Sequence, residues 1–446
     1  MKLPSRRALS ALMGLLAAVW IAASGHTGEA ERLSVMVPVT ADPHIGYMPG
    51  YETGPQISAQ AAIVFDNTTG TVLYAKNAQT ARPMASTTKI MTALLAMERG
   101  KLDDVVRVSP YAASTRGSSA HLYAGQEIKL IDLLHGLLLR SGNDAAVAIG
   151  EHLAGTEDNF VKLMNQRAAE LGIVHTRFQN PHGLDKGGHF STAYDLALMA
   201  RVALLYPTFA QIVGTKSYAA PSGTVWHNTN RLLWSFDGAE GVKTGTTSLA
   251  GNCLVAAASR DGMQLITVVL GSANRWADSR ALLEYGFGQY HLVRLAEKGS
   301  VLAVLPVAGA DEQVVAVAEQ PLSVVVGNKD VGKLRTRLEL DPIAAPLHRL
   351  QTIGRYDVYI GDQLVAQVPL VAAADVPKSA WWRRLWRALT GQRAPSGPPG
   401  AEPAPGGSPG EAPSPAPGDS PEQTPGREIV PQAPRPLPAP ALGPPI

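Results

Sequence analysis

The sequence predicts an α/β chain of the α+β kind, in which a sheet is interrupted by a helical subdomain and a small β-rich domain follows. Three observations predict it. Strand-like runs at 61–65 and 71–74 open the globular region, joined by the turn Asp66-Asn67-Thr68-Thr69-Gly70. A mostly helical block comes next. Strands then return at 241–244, and the runs 254–258 and 265–270 flank Asp261-Gly262, a hairpin signal. Strands on both sides of a helical block imply one sheet built from the two ends of the segment.

The elements follow in order. Lys2, Arg6 and Arg7 precede an apolar run over 8–23 that ends in small residues, so residues 1–30 read as a cleaved secretory signal peptide; an uncleaved membrane anchor is the competing reading. Residues 31–55 form a leader. After Pro83, Ile90, Met91, Leu94 and Leu95 give the stretch 86–97 a helical apolar stripe. That places Ser86 at a helix N-terminus, where unpaired N–H groups favour a developing anion. The runs 130–139, 144–149, 160–171 and 192–205 also read as helices.

Composition shifts near residue 295. Residues 295–376 carry short alternating strands (334–340, 356–360 and 364–368) and read as a small C-terminal β-sandwich domain. The segment 377–392 follows. Its Trp382, Leu385, Trp386 and Leu389 share one helical face and its arginines the other. Such an amphipathic helix suits a membrane interface and anionic lipid, with packing on the β domain as the competing reading. Residues 393–446 hold about half of the 34 prolines and read as a disordered Pro-rich tail.

Composition narrows the function classes. The chain has 446 residues, 45% of them hydrophobic and 17% charged, which supports sizeable cores and excludes wholesale disorder. A net charge of +2, with no run of basic and aromatic residues that looks like a base-stacking platform, argues against nucleic acid as the main partner. Cys253 is the one cysteine, so an internal disulfide is impossible, and its apolar surroundings read as core. The eleven histidines show no metal-ligand spacing, so no metal or other cofactor is expected.

Three short segments carry chemistry. Ser86-Thr87-Thr88-Lys89 places an amine three residues from a hydroxyl, close enough on a helix for the amine to act as the base that a serine nucleophile needs. Ser141-Gly142-Asn143 and Lys243-Thr244-Gly245 follow at intervals of about fifty and a hundred residues. Each is weak alone. In this order they match the Ser-x-x-Lys, Ser-Asp-Asn-type and Lys-Thr-Gly trio of class A β-lactamases and penicillin-binding proteins.

Extended to Ile90-Met91-Thr92, Asp144 and Thr246-Thr247, and joined by Asn180-Pro181-His182-Gly183-Leu184-Asp185 and 191–197, the set resembles the D-alanyl-D-alanine carboxypeptidases among the low-molecular-mass penicillin-binding proteins. The resemblance covers about 56–292 and continues more loosely beyond; the long tail departs from it. It implies a serine β-lactamase/DD-peptidase-like catalytic domain over 56–294, with a mainly antiparallel sheet flanked by helices. It also implies an exported enzyme at the outer face of the cytoplasmic membrane, in the periplasm or cell wall, acting on peptidoglycan stem peptides and acylated by β-lactams.

By the same resemblance Ser86 is the nucleophile, Lys89 its base, and Ser141 the proton relay to the leaving amine. Asn143, Lys243, Thr244, Gly245 and Thr246 bind substrate, with the Ser86 and Thr246 N–H groups as oxyanion donors. Arg275 matches, after a one-residue gap, a family arginine near the carboxylate site, against the reading of a solvated surface arginine. His182 reads as a turn residue rather than a catalytic one. A β-lactamase would need a Glu-activated water, and Glu170 and Glu240 lack that context. A DD-endopeptidase and a catalytically silent wall-binding scaffold also compete with the carboxypeptidase reading.

Overall fold

A computed structural model describes residues 46–48, 50–379, 385 and 388–391 of the chain. The signal segment, most of the leader, most of the tryptophan-rich segment and the Pro-rich tail lie outside the described residues.

The central sheet has five strands: β1 (Ala61–Asp66), β2 (Val72–Lys76), β3 (Ala239–Thr247), β4 (Gly251–Arg260) and β5 (Met263–Ser272). They pair antiparallel in the order β2-β1-β5-β4-β3. Both faces are covered, and the alternation of side chains decides which residue goes where. Ile63, Phe65, Val255 and Val268 point into the large core beneath the helices; Val64, Leu254, Leu265 and Val269 point into the second core on the opposite face. Each of these fully buried aliphatic or aromatic side chains contributes about 1.5–3 kcal/mol.

The helical block between β2 and β3 holds α1 (Lys89–Arg99), α2 (Leu130–Leu139), α3 (Asn143–Ala154), α4 (Glu157–Glu170), α5 (Ala193–Leu204) and α6 (Pro207–Gly214). Thr156 and Thr192 cap α4 and α5, accepting from the Asn159 and Asp195 N–H groups at 3.2 and 3.0 Å. The apolar helix α2 buries Leu130, Leu133, Leu134, Leu137, Leu138 and Leu139.

Several expected boundaries shift by a few residues, and the shift at Ser86 bears on the chemistry. Ser86 belongs to a single 3-10 turn, Ala85–Thr88, and the α-helix begins only at Lys89. In a 3-10 turn residues i and i+3 eclipse, which aligns Ser86 with Lys89 more closely than an α-helix would. A helix absent from the sequence expectations, α7 (Arg275–Gln289), covers the second face of the sheet with Leu282 and Leu283. Its first turn is tied down by Asp278, whose carboxylate accepts from Ser58 N (3.0 Å), Ser58 Oγ (2.7 Å) and Ser272 Oγ (2.6 Å).

Strand pairing resumes directly after α7. Tyr290–Ala296 pairs with Leu322–Gly327, and a five-stranded antiparallel sheet runs Val301–Pro306, Gln313–Ala318, Gln363–Ala372, Thr352–Ile360, Leu334–Leu340. Val324 and Val326 of the smaller sheet pack on Val358 and Val368 of the larger, giving the sandwich its core. Among the described residues no single helix is long and apolar enough to cross a membrane.

Candidate active site

Ser86, Lys89, Asn143 and the strand carrying Lys243 converge at one end of β3. Lys89 is fully buried and its amine has three partners: Ser86 Oγ at 3.0 Å, Asn143 Oδ1 at 2.7 Å and the His182 carbonyl at 2.5 Å. The Asn143 amide orientation follows from its other end, where Nδ2 donates to the Arg116 carbonyl at 2.7 Å. Two of the three partners of Lys89 are therefore oxygens that only accept.

That geometry directs the lone pair. A neutral amine has two N–H groups and one lone pair. The protons must go to Asn143 Oδ1 and the His182 carbonyl, leaving the lone pair for the Ser86 hydroxyl, the only one of the three able to donate. The neutral form is favoured because burial pushes the Lys89 amine well below the usual lysine range, and the nearby Lys243 charge adds to the depression while Asp144 opposes it. Ser86 itself is only half-buried, so its oxygen is open to a substrate.

The supports of this centre are local. Asn143 opens α3 and its N–H donates to the Ser118 carbonyl at 2.7 Å. The adjacent Asp144 carboxylate accepts from Ser119 Oγ (2.6 Å), Ala120 N (2.9 Å) and Leu122 N (3.1 Å), fixing the 118–122 loop against α3. The turn 180–185 is held by Asn180, whose Oδ1 accepts from the N–H groups of His182 (3.3 Å) and Gly183 (2.7 Å). His182 is buried, its Nδ1 accepts from Leu184 N at 3.2 Å, and burial pushes its imidazole down to about 3. The side chain serves the turn while its carbonyl holds Lys89. Gly183 is required there: its φ is +92°, and a Cβ would lie 2.0 Å from the Ala85 carbonyl oxygen.

The Lys243-Thr244-Gly245 segment of β3 passes close to the nucleophile. A Cβ on Gly245 would lie 2.9 Å from Ser86 N and 3.0 Å from Ala85 Cβ, so only glycine lets the strand approach. Lys243 is buried, and burial, helped by the Arg275 charge, pushes its amine down to about 7. Asp185 ties this strand end to the 180–185 turn by accepting from Thr247 Oγ1 at 2.7 Å and Leu249 N at 3.2 Å.

Arg275 is not a solvated surface residue. It opens α7, is half-buried, and donates to the Gly245 carbonyl (2.7 Å), Thr246 Oγ1 (2.8 Å) and the Cys253 carbonyl (3.2 Å). Cys253 is buried in the sheet, as its apolar neighbours implied. Ser141 is buried with φ +62°, a left-handed conformation uncommon for serine, and its hydroxyl makes no hydrogen bond among the described residues. Glu170 pairs with Arg167 at 3.1 Å and Glu240 with Gln264; neither belongs to the network around Ser86 and Lys89.

Two of the groups that sequence reasoning missed act through the backbone, and others through side chains outside the motifs. The His182 carbonyl is one; the Pro181 carbonyl, which accepts from Thr92 Oγ1 at 2.6 Å and so fastens the turn to α1, is another. Thr88 Oγ1 and His189 Nε2, 2.8 Å apart, add a third tie beneath the nucleophile turn.

Comparison with known proteins finds relatives for both folded parts of the chain. The sequence model of the D-alanyl-D-alanine carboxypeptidase family (Peptidase S11) matches residues 49–274, and that of the penicillin-binding protein 5 C-terminal domain matches 290–378. D-alanyl-D-alanine carboxypeptidase DacF of Bacillus subtilis is 36% identical over 74% of this chain and 89% of its own length. DacC of Escherichia coli is 34% identical over 74% of this chain and 88% of its own. Among solved structures, penicillin-binding protein 5 of Haemophilus influenzae superposes with a TM-score of 0.66 at 30% identity, covering 73% of this chain and 99% of that one. Penicillin-binding protein 6B of Escherichia coli gives 0.60 at 31% identity, covering 73% and 99%. With a family model spanning 49–274 and relatives above 30% identical over 74% of the sequence, the chain belongs to the D-alanyl-D-alanine carboxypeptidase family of serine peptidases.

Proposed function

We propose that this chain is a serine-type D-Ala-D-Ala carboxypeptidase that removes the terminal D-alanine from peptidoglycan stem peptides and is acylated by β-lactams at Ser86. The observation that carries the reading is the lone-pair geometry of Lys89. Two acceptor oxygens take its protons, and its third partner is the Ser86 hydroxyl at 3.0 Å.

In the first half-reaction Ser86 Oγ attacks the carbonyl of the penultimate D-Ala while its proton passes to Lys89 Nζ. The Ser86 and Thr246 N–H groups hold the oxyanion, each worth about 3 kcal/mol in such sites. The C–N bond breaks, Ser141 relays a proton to the leaving D-Ala amine, and an ester on Ser86 remains. Asn143 binds the peptide backbone of the substrate as well as Lys89. Lys243 and Thr244 receive the terminal carboxylate, with Arg275 behind Gly245 and Thr246. Water then hydrolyses the ester and returns the proton to Ser86. Glu170 and Glu240 are both engaged away from this network, which disfavours a β-lactamase with a Glu-activated water.

Export is part of the proposal: a stem peptide lies outside the cytoplasm, and residues 1–30 have the composition of a signal segment. Peripheral membrane association through 377–392 rests on the Trp/Arg pattern of that segment, supported by the exposure of Leu385 and Leu389. Domain limits of 56–294 and 295–376 complete the reading.

The test is D-alanine release. Purified protein incubated with a pentapeptide ending in D-Ala-D-Ala should liberate free D-alanine, and Ser86→Ala should release none. No release together with no penicillin labelling would favour the silent scaffold. Rapid cephalosporin turnover would favour a β-lactamase, and cleavage confined to crosslinked dimers an endopeptidase.

A further inference from the structure

Thr229 belongs to none of the sequence motifs, yet its hydroxyl oxygen lies 2.7 Å from that of Thr244. Thr244 is buried and Thr229 is exposed, so the pair runs from the interior to the surface. The neighbours of Thr229 hold it in place. Asn228 and Asn230 on either side are buried, and their amides are spent on backbone: Asn228 donates to two carbonyls at 3.0 Å each, and Asn230 donates to Gly241 of β3 at 2.7 Å. The Thr229 N–H donates to the Leu139 carbonyl at 3.2 Å, at the end of the helix leading into Ser141. One residue thus ties the strand carrying Lys243-Thr244-Gly245 to the end of α2.

Two hydroxyls in contact share one donor, and a carboxylate only accepts. If Thr244 gives its proton to a bound carboxylate, it keeps its bond to Thr229 only when Thr229 is the donor. We infer that Thr229 is a positioning residue for the carboxylate end of the cleft: it donates to Thr244 Oγ1 and aims the Thr244 proton at the terminal carboxylate of the substrate. In such a chain each hydrogen bond strengthens the next. The inference rests on the placement of Thr244 at the carboxylate end in the function proposed above.

The test uses Thr229→Val, which keeps the branched shape and removes the donor, Thr229→Ser, which restores it, and both in a Thr244→Val background. The readouts are pentapeptide kcat and KM, the second-order rate of benzylpenicillin acylation, and thermal unfolding. One hydrogen bond predicts a loss of about three- to tenfold in kcat/KM for Thr229→Val, mostly through KM. Thr229→Ser should recover to within about twofold, and Thr229→Val should add little once Thr244 is valine. The inference is overturned if Thr229→Val matches the parent, if serine fails to rescue, or if the two losses add in full. A parent protein that neither releases D-alanine nor reacts with penicillin would overturn the proposed function, a distinct result.

Discussion

Lys243→Met should make the protein more stable while disabling it. Lys243 is 1% exposed, and among the described residues the hydrogen bond of its amine is to the Thr244 carbonyl at 3.2 Å. Burial and the Arg275 charge hold it at about 7 in the folded chain, against an unfolded value of 10.5. A lysine depressed on folding binds its proton less readily in the native state, so the unfolded state carries more protons between the two values and stability rises with pH across that window. The cost of burying Lys243 is about 5 kcal/mol below pH 6, about 4 kcal/mol at pH 7 and about 2 kcal/mol at pH 9. Methionine keeps the unbranched shape and removes the titrating group, at a loss of about 1 kcal/mol for the hydrogen bond. Lys89 stays buried in both proteins, so its desolvation cancels; loss of the Lys243 charge relieves its amine, which acts in the same direction as the gain. Urea unfolding of parent and variant at pH 6, 7, 8 and 9 should show the variant ahead by about 3 kcal/mol at pH 7, with the margin shrinking by about 2 kcal/mol by pH 9. A variant no more stable than the parent, or a margin that does not fall with pH, would refute the claim that this lysine is held desolvated for function.

Three further substitutions probe the same framework. Gly245→Ala puts a methyl 2.9 Å from Ser86 N, against backbone that cannot yield cheaply; penicillin acylation should slow at least tenfold, with about 1–3 kcal/mol of stability lost, and acylation within twofold of the parent would contradict the close approach. Asn143→Ala removes an acceptor from Lys89 and orphans the Arg116 carbonyl; about 2–4 kcal/mol of stability should go, with acylation falling by two orders of magnitude or more, and unchanged melting would count against the buried network. Truncation after residue 379 should abolish sedimentation with anionic vesicles and leave D-alanine release intact; a truncated protein that still sediments would place membrane contact elsewhere.

Much of the catalytic sheet was legible because its signals are local. The hairpin at Asp261-Gly262 needs only a turn dipeptide between apolar runs, and α2 is a leucine-rich stretch of helical length broken only by Asp132, His135 and Gly136. The helix α7 was not legible, because its buried face includes Asp278 and Ser279; Asp278 reads as a surface residue until Ser58, 220 positions away, is known to face it. The site shows the same division. Ser86 and Lys89 declare themselves by side-chain type and spacing. The His182 carbonyl that fixes the Lys89 amine belongs to the backbone, which every residue possesses, so no residue identity could signal it. Arg275 is ambiguous in sequence because an arginine near a helix start is usually solvated; its capture by the Gly245 and Cys253 carbonyls depends on two strands remote in sequence. Thr229 was invisible for a similar reason, its meaning lying in a neighbour fifteen positions away.

The most direct test of the Ser86–Lys89 chemistry is peptide mapping of the penicillin adduct. After reaction with benzylpenicillin, mass spectrometry should find one penicilloyl group, on the peptide containing Ser86, and none when Ser86→Ala or Lys89→Met is treated alike. An adduct on the Ser141 peptide, or full labelling of the Lys89 variant, would contradict the assignment of nucleophile and base.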